Sequence, residues 1–311
     1  MCRVLIIVGV VWTLLACSQN PLKAQWQSQL ATQTSINELP GVPFYPQESF
    51  QCGPAALASL LGWIGDEVTP DSLTEQLFIS GRKGSLQIEM LATARRHGFV
   101  AYEHAGGLQD LLLQLQQGAP VLILQNLGLS WVPTWHYSVV VGYDAKKQRF
   151  LLRSGEQRLR QTDVKAFSRT WHYSEQWMMT LHKPGDIPAG ADALQYVRAV
   201  SGLERVQQSH AALLSYRAAS NKWPQSDIVW MALGNNLYQA QEFLAAQQAY
   251  EQAYIIAPQK PAAAHNLAWA LIKQNKLSLA KAYAEKAAQL SSEARYQSAL
   301  QALSGRSVTT F

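Results

Sequence analysis

Hydrophobic and polar residues follow three different patterns along the chain. Between residues 52 and 117, apolar positions recur with a helical period, and glycines end the segments. Short apolar runs of strand length occur at residues 99–103 and then between residues 120 and 181. From residue 193 onward the helical period returns. Helices followed by a mostly antiparallel sheet predict an α+β domain, and the last stretch predicts a separate all-α domain.

Five apolar runs predict the strands of the sheet: Phe99–Glu103, Pro120–Gln125, His136–Tyr143, Arg149–Ser154 and Trp177–Leu181. The polar residues 144–148 predict a hairpin turn between the third and fourth runs. That hairpin would place residues 154–157 opposite His136.

The helical stretch repeats with a period of 34 residues. Ala212, Ala246 and Ala280 are equivalent by this period, as are Pro224 and Pro258. The middle copy matches the tetratricopeptide pattern almost position by position. We therefore predict that residues 193–311 form three tetratricopeptide repeats, followed by a capping helix, with the repeats at about 193–226, 227–260 and 261–294.

The N-terminus has the pattern of a targeting signal. An apolar run of signal-peptide length ends in Leu14-Leu15-Ala16-Cys17, which resembles a bacterial lipobox. Residues 1–16 would then be removed, and Cys17 would carry lipid and hold the protein to a membrane. Ser18 after the cysteine favours the outer membrane, facing the periplasm. An ordinary signal peptide or a short anchor is the alternative, and the polar residues 17–40 predict a tether.

Composition narrows the classes of partner and cofactor. The chain has a net charge of +5 and 48% hydrophobic residues, with its basic residues scattered. Binding to nucleic acid is therefore not expected. The histidines show no paired spacing and only one cysteine is free for ligation, so no metal and no cofactor are expected.

Cys52 is the strongest candidate for chemistry. Cys2 would be lost with the signal peptide and Cys17 would be lipidated, so Cys52 would be the only free thiol of the mature chain. The Gly53-Pro54 step after it predicts a helix N-terminus, where the helix dipole favours a thiolate. A thiolate attacks carbonyl carbons, so we interpret Cys52 as a nucleophile. The alternative is a small buried hydrophobic residue.

A cysteine nucleophile needs a base, and His136 is the best placed of the histidines. It begins the central valine-rich strand, so it can face a helix end across a cleft. The alternative is a structural histidine beside Trp135 and Tyr137.

Three stretches resemble the C39 and C39-like cysteine peptidases, which have a papain-like fold. They are Val42–Gln47 with Gln51–Ala56, Leu108–Ile123, and His136–Asp144. The resemblance implies a peptidase domain over 41–183, with a linker at 184–192. The order of lipobox, peptidase domain and repeats resembles a lipoprotein type within this family.

The resemblance also implies roles for individual residues. Cys52 would be the nucleophile and His136 the general base. Gln47 would donate its side-chain N–H to the oxyanion, beside the Cys52 backbone N–H. Gln47 lies one residue closer to the cysteine than the glutamine of many relatives, and Gln51 is the competitor.

The residue that orients the histidine is an open question at the level of sequence. Relatives carry Asp or Asn where this chain has Ser154. A register change of one residue turns a strand side chain to the other face, so Ser154 and Glu156 cannot be separated. A Cys52–His136 dyad is the third alternative.

These residues favour a lipid-anchored periplasmic cysteine peptidase that acts on a protein or peptide substrate. The repeats would bind a protein partner or the substrate. The alternatives are a non-catalytic envelope adaptor and a peptidoglycan amidase.

Overall fold

The computed structural model describes residues 26, 28–46, 51–77 and 84–306. The first domain contains a central sheet with helices on both faces. Its elements are α1 (Cys52–Ile64), α2 (Pro70–Leu77), α3 (Gln87–Arg96), β1 (Val100–His104), α4 (Leu108–Gln116), β2 (Val121–Asn126), β3 (Trp135–Asp144), β4 (Arg149–Ser154), β5 (Gln157–Asp163), α5 (Val164–His172) and β6 (Met178–His182).

The sheet has six antiparallel strands in the order β1-β6-β2-β3-β4-β5. β3 and β4 form the predicted hairpin, with Asp144 opposite Arg149. The register shifts between Val140 and Gly142, so the β3 side is bulged there. On β2, Gln125 lies opposite His136. The sheet therefore places His136 at the end of its central strand.

Helix α1 packs on the sheet through a fully apolar side. Leu57, Leu60 and Leu61 are completely buried in a core shared with β2, β3 and β6. Burying a leucine side chain stabilises the fold by about 1.5–3 kcal/mol. The helix that carries Cys52 is therefore held tightly against the strand that carries His136.

Two elements of this domain were not predicted from the sequence. β5 has mostly exposed polar residues, so it lacks the alternation that marks a strand. α5 buries Phe167 and Trp171, which lie four residues apart. Its N-cap is Asp163, whose Oδ1 accepts a hydrogen bond of 2.9 Å from the Ala166 N–H. Asp163 and this apolar pair were a readable signal for the helix.

The tether predicted over residues 17–40 is wrong for its described part. Trp26 and Leu30 are buried in the core of the domain, and residues 28–31 are helical. Ile36 pairs with Tyr143 of β3 through two backbone hydrogen bonds of 2.8 Å. Gly142 allows this approach, because a Cβ there would lie 2.8 Å from the Ile36 carbonyl oxygen. The described part of this segment packs on the domain because Trp26 and Leu30 bury their apolar side chains, although the residues around them are polar.

The predicted signal peptide at residues 1–16 and the predicted lipidation site Cys17 lie outside the described residues. Across the described ranges, no helix combines the length and the apolar character needed to cross a bilayer.

The second domain confirms the prediction of an all-α tetratricopeptide domain. Its helices form antiparallel pairs, and the first helices of successive pairs begin at residues 193, 227 and 261. The elements are α6 (Ala193–Arg205), α7 (Ser209–Lys222), α8 (Asp227–Gln239), α9 (Phe243–Ile256), α10 (Pro261–Lys273), α11 (Leu277–Leu290) and the last helix α12 (Ala294–Arg306). Small alanines at the crossings, such as Ala212, Ala246 and Ala280, are completely buried.

Strand β1 joins the two domains. Ala101 belongs to the core of the first domain, whereas Val100 and Tyr102 belong to the core of the repeats. The Gln195 side chain of α6 donates a hydrogen bond of 2.7 Å to the Glu103 carbonyl oxygen. The first repeat therefore packs directly on the edge of the sheet.

Candidate active site

Cys52 is the first residue of α1, and Gln51 precedes it as the N-cap residue. The thiol is half-buried. Gly53 passes close to Ser85 of the neighbouring loop, and a Cβ at position 53 would lie 2.8 Å from the Ser85 Cβ. A side chain at position 53 would push this loop away, so the Cys-Gly-Pro step serves to bring the thiol against the loop.

The surroundings of the thiol act on its pKa in opposite directions. Burial raises the pKa of Cys52 above its usual value, and this is the largest effect. Hydrogen bonds from the backbone of Tyr137, of Gly53 and of Cys52 itself act to lower it. Because burial dominates, the group is a thiol near neutral pH.

His136 faces the same cavity as Cys52. The cavity has a volume of about 1550 Å³, and both side chains line it. Burial and the nearby cation of Arg160 lower the pKa of His136 to about 4. The imidazole is therefore neutral near pH 7, and it can accept a proton.

One contact distinguishes Ser154 from Glu156 as neighbours of the His136 ring. His136 Nε2 lies 2.9 Å from Ser154 Oγ. Glu156 lines the cavity, but β4 ends at Ser154, before Glu156. Val139 lies opposite Arg153 in the hairpin, so Ser154 falls opposite Ser138 and diagonal to His136. The structure thus brings His136 and Ser154 together.

Of the two glutamine candidates for the oxyanion site, one lies among the described residues. Gln47 lies outside the described residues, and its competitor Gln51 is half-buried at the N-cap of α1. His97 pairs with Asp66 at 2.7 Å, away from the cavity lining.

A second histidine lines the cavity, which the sequence did not indicate. His104 Nε2 lies 2.8 Å from Thr180 Oγ1, and the same hydroxyl lies 2.7 Å from His182 Nε2. Burial lowers the pKa of His104 to about 3 and that of His182 to about 4, so both rings are neutral near pH 7. Among the described residues, no group of three or more His, Cys, Asp or Glu side chains could hold a metal ion.

An aspartate at position 154 is expected to raise the pKa of His136 by about 1–3 units, because it would put an opposite charge beside the ring. The cation of Arg160 already acts on this histidine, and the titratable groups Cys52, Glu103, His104, Glu156 and Glu175 line the same cavity. An NMR titration of the His136 ring measures the shift in Ser154→Asp. Ser154→Asn is the matched neutral control, and equal titration curves for the two variants would contradict the charge effect.

Solved structures resemble each part of the chain. A putative C39-like peptidase from Bacillus anthracis is 17% identical, with a TM-score of 0.41, over 49% of this chain and 98% of that one. A double glycine motif protease from an AMS/PCAT transporter, in complex with the leader peptide, is 19% identical, with a TM-score of 0.37, over 48% and 94%. The first TPR of Spaghetti (RPAP3), bound to an HSP90 peptide, is 15% identical, with a TM-score of 0.36, over 38% and 94%.

No curated protein gave a significant match to this chain. Residues 40–179 match the model of a family described as Peptidase_C39 like family. This match confirms the family resemblance inferred from the three sequence stretches. Most of the α+β domain of this chain therefore matches the C39-like peptidase family.

Proposed function

We propose that the chain is a cysteine peptidase that hydrolyses peptide bonds with Cys52 and His136. One observation carries the proposal: a thiol at a helix N-terminus and a neutral imidazole line the same cavity. A neutral base and a neutral thiol that line one cavity suit general-base catalysis, in which the proton moves as the sulfur attacks.

The proposed reaction runs through a thioester. Cys52 Sγ attacks the scissile carbonyl carbon while the Nδ1 atom of His136 takes the thiol proton. The oxyanion accepts hydrogen bonds from the Cys52 backbone N–H and, by the family resemblance, from the Gln47 side chain. His136 then gives its proton to the leaving amine. Water, deprotonated by the same imidazole, hydrolyses the thioester and restores the thiol.

The lining of the cavity favours substrates that carry positive charge. Glu103, Glu156 and Glu175 line it, together with the exposed aromatic side chains of Trp135 and Tyr173. Among the described residues that line the cavity, none is a lysine or an arginine. Carboxylates attract a cationic side chain, and aromatic faces bind it by cation–π contact. We therefore propose peptides with lysine or arginine near the scissile bond.

The rest of the chain suggests where this reaction occurs. The lipobox supports anchoring through Cys17, and Ser18 supports the outer membrane facing the periplasm. The repeats would bind a protein partner or hold the substrate, since tetratricopeptide helices form extended binding surfaces.

Covalent capture tests whether the thiol is activated. We expect a lysine-containing peptidyl vinyl sulfone to add to Cys52, with His136 returning a proton to the carbon beside the sulfone. Intact-protein mass spectrometry measures the rate. His136→Ala is expected to react about 10²-fold more slowly than wild type, because it lacks the general acid–base group.

Cys52→Ser and a free cysteine-containing peptide serve as controls. Capture no faster than that of the free peptide, and unchanged in His136→Ala, would contradict the peptidase proposal. That result would favour the non-catalytic adaptor.

A further inference from the structure

We infer that Gln125, acting through Ser138 and Ser154, keeps the hydrogen of neutral His136 on Nε2 and leaves Nδ1 as the base. These are positioning residues, which act on the histidine without touching the substrate. The inference deepens the proposed function and depends on it for the role of Nδ1. The tautomer itself can be measured without any activity.

The four side chains form an unbroken set of hydrogen bonds on one face of the sheet. Gln125 Oε1 lies 3.2 Å from Ser138 Oγ, and Ser138 Oγ lies 3.1 Å from Ser154 Oγ. Ser154 Oγ lies 2.9 Å from His136 Nε2. Gln125, Ser138 and Ser154 are at most 4% exposed, so water does not compete for these groups.

The contacts of Gln125 with α5 determine the orientation of its side-chain amide. The Gln125 side-chain N–H donates to Thr170 Oγ1 at 2.7 Å. The Thr170 hydroxyl donates in turn to carbonyl oxygens of α5, at 3.0 Å from Ala166 and 3.1 Å from Phe167. Gln125 therefore turns its amide N–H toward α5 and its carbonyl oxygen toward Ser138.

Counting hydrogens then fixes each remaining bond. Ser138 Oγ is within donating distance of both Gln125 Oε1 and Ser154 Oγ but has a single hydrogen. We assign this hydrogen to Gln125, because a carbonyl oxygen can only accept, whereas Ser154 Oγ can also donate. Ser138 can then only accept from Ser154, whose single hydrogen is used in that bond. Ser154 is left to accept from His136, so Nε2 must carry a hydrogen. A neutral imidazole has one N–H, which leaves Nδ1 with its lone pair free.

This arrangement needs no rearrangement during the proposed reaction. When Nδ1 takes a proton, Nε2 keeps its hydrogen and still donates to Ser154. The set holds the ring in one orientation but adds no negative charge, which agrees with the lowered pKa of His136. Orientation and charge stabilisation, which one carboxylate supplies in a Ser-His-Asp triad, are thus separated here.

The test is a tautomer measurement on protein labelled with ¹⁵N at histidine. Long-range ¹H–¹⁵N correlation spectra at pH 7 are expected to show His136 with its hydrogen on Nε2. In Gln125→Leu the acceptor is lost, so both serine hydroxyls can reverse and Ser154 can donate to Nε2. A fraction of His136 with its hydrogen on Nδ1 is then expected, with kcat lowered by that fraction and KM unchanged. Gln125→Glu keeps an acceptor and should keep the wild-type tautomer.

Gln114→Leu is the matched control, because Gln114 is a glutamine 1% exposed whose side chain donates to the Ala189 carbonyl oxygen at 2.8 Å. It should lower stability without changing the His136 tautomer. The inference is overturned if wild-type His136 carries its hydrogen on Nδ1, or if folded Gln125→Leu keeps the wild-type tautomer. If the tautomer agrees and covalent capture fails, the proposed function alone is rejected.

Discussion

Cys52→Ala is expected to lose cleavage of lysine- or arginine-containing peptides by at least about 10⁴-fold, because no other described group in the cavity replaces a thiol nucleophile. The measurement is mass spectrometry of a peptide library after incubation with wild type or variant. The fold should survive, since Cys52 is half-buried and alanine suits a helix.

Two comparisons make the Cys52 result specific. Thermal unfolding of Cys52→Ala should match wild type, so that lost activity is not lost structure. The same enzyme pair is then offered peptidoglycan. Soluble muropeptides released by wild type alone would select an amidase, and equal peptide cleavage by Cys52→Ala would place the chemistry elsewhere.

Trp26→Ala is expected to lower the free energy of unfolding by about 3–5 kcal/mol, as removal of a large buried aromatic side chain does. Trp26 is 3% exposed. Its ring centroid lies 6.4, 6.1 and 5.8 Å from those of Phe150, Phe167 and Trp171. The variant would leave a cavity where Trp26 now packs against β4 and α5. Urea unfolding followed by circular dichroism measures the change.

Trp131 provides the control for this variant, because its side chain is 76% exposed. Trp131→Ala should change the free energy of unfolding by no more than about 0.5 kcal/mol. A loss below about 1 kcal/mol in Trp26→Ala would mean that residues 26–40 are a tether after all.

Elements of the fold could be predicted from the sequence where the local residue pattern alone determines them. The Cys-Gly-Pro step predicted the helix that begins at Cys52, and the apolar run after His136 predicted β3. The hairpin turn also placed Ser154 and Glu156 near His136 as candidates for the residue that orients it, because the position of the turn sets the register of the two strands.

The rest depended on distant contacts that no local pattern encodes. Trp26 lies in a polar segment, so only its packing against α5 shows that it belongs to the core. The partners of Ser154 come from separate elements: Gln125 from β2 and Ser138 from β3. Thr170 lies on a helix that was not predicted, so the direction of the hydrogen bonds between Gln125 and His136 could not be inferred from the sequence.

The side chains of β1 belong to two different hydrophobic cores, so the two domains depend on each other for stability. Cutting the chain before residue 193 would expose Val100 and Tyr102 on an unpaired edge, which invites aggregation. The repeats are thus not a module that can be detached and exchanged. Any partner that stabilises the folded first repeat also stabilises β1, by mass action. Glu103 and His104, the last residues of that strand, line the candidate active-site cavity. Binding to the repeats is therefore expected to be thermodynamically linked to order in that cavity.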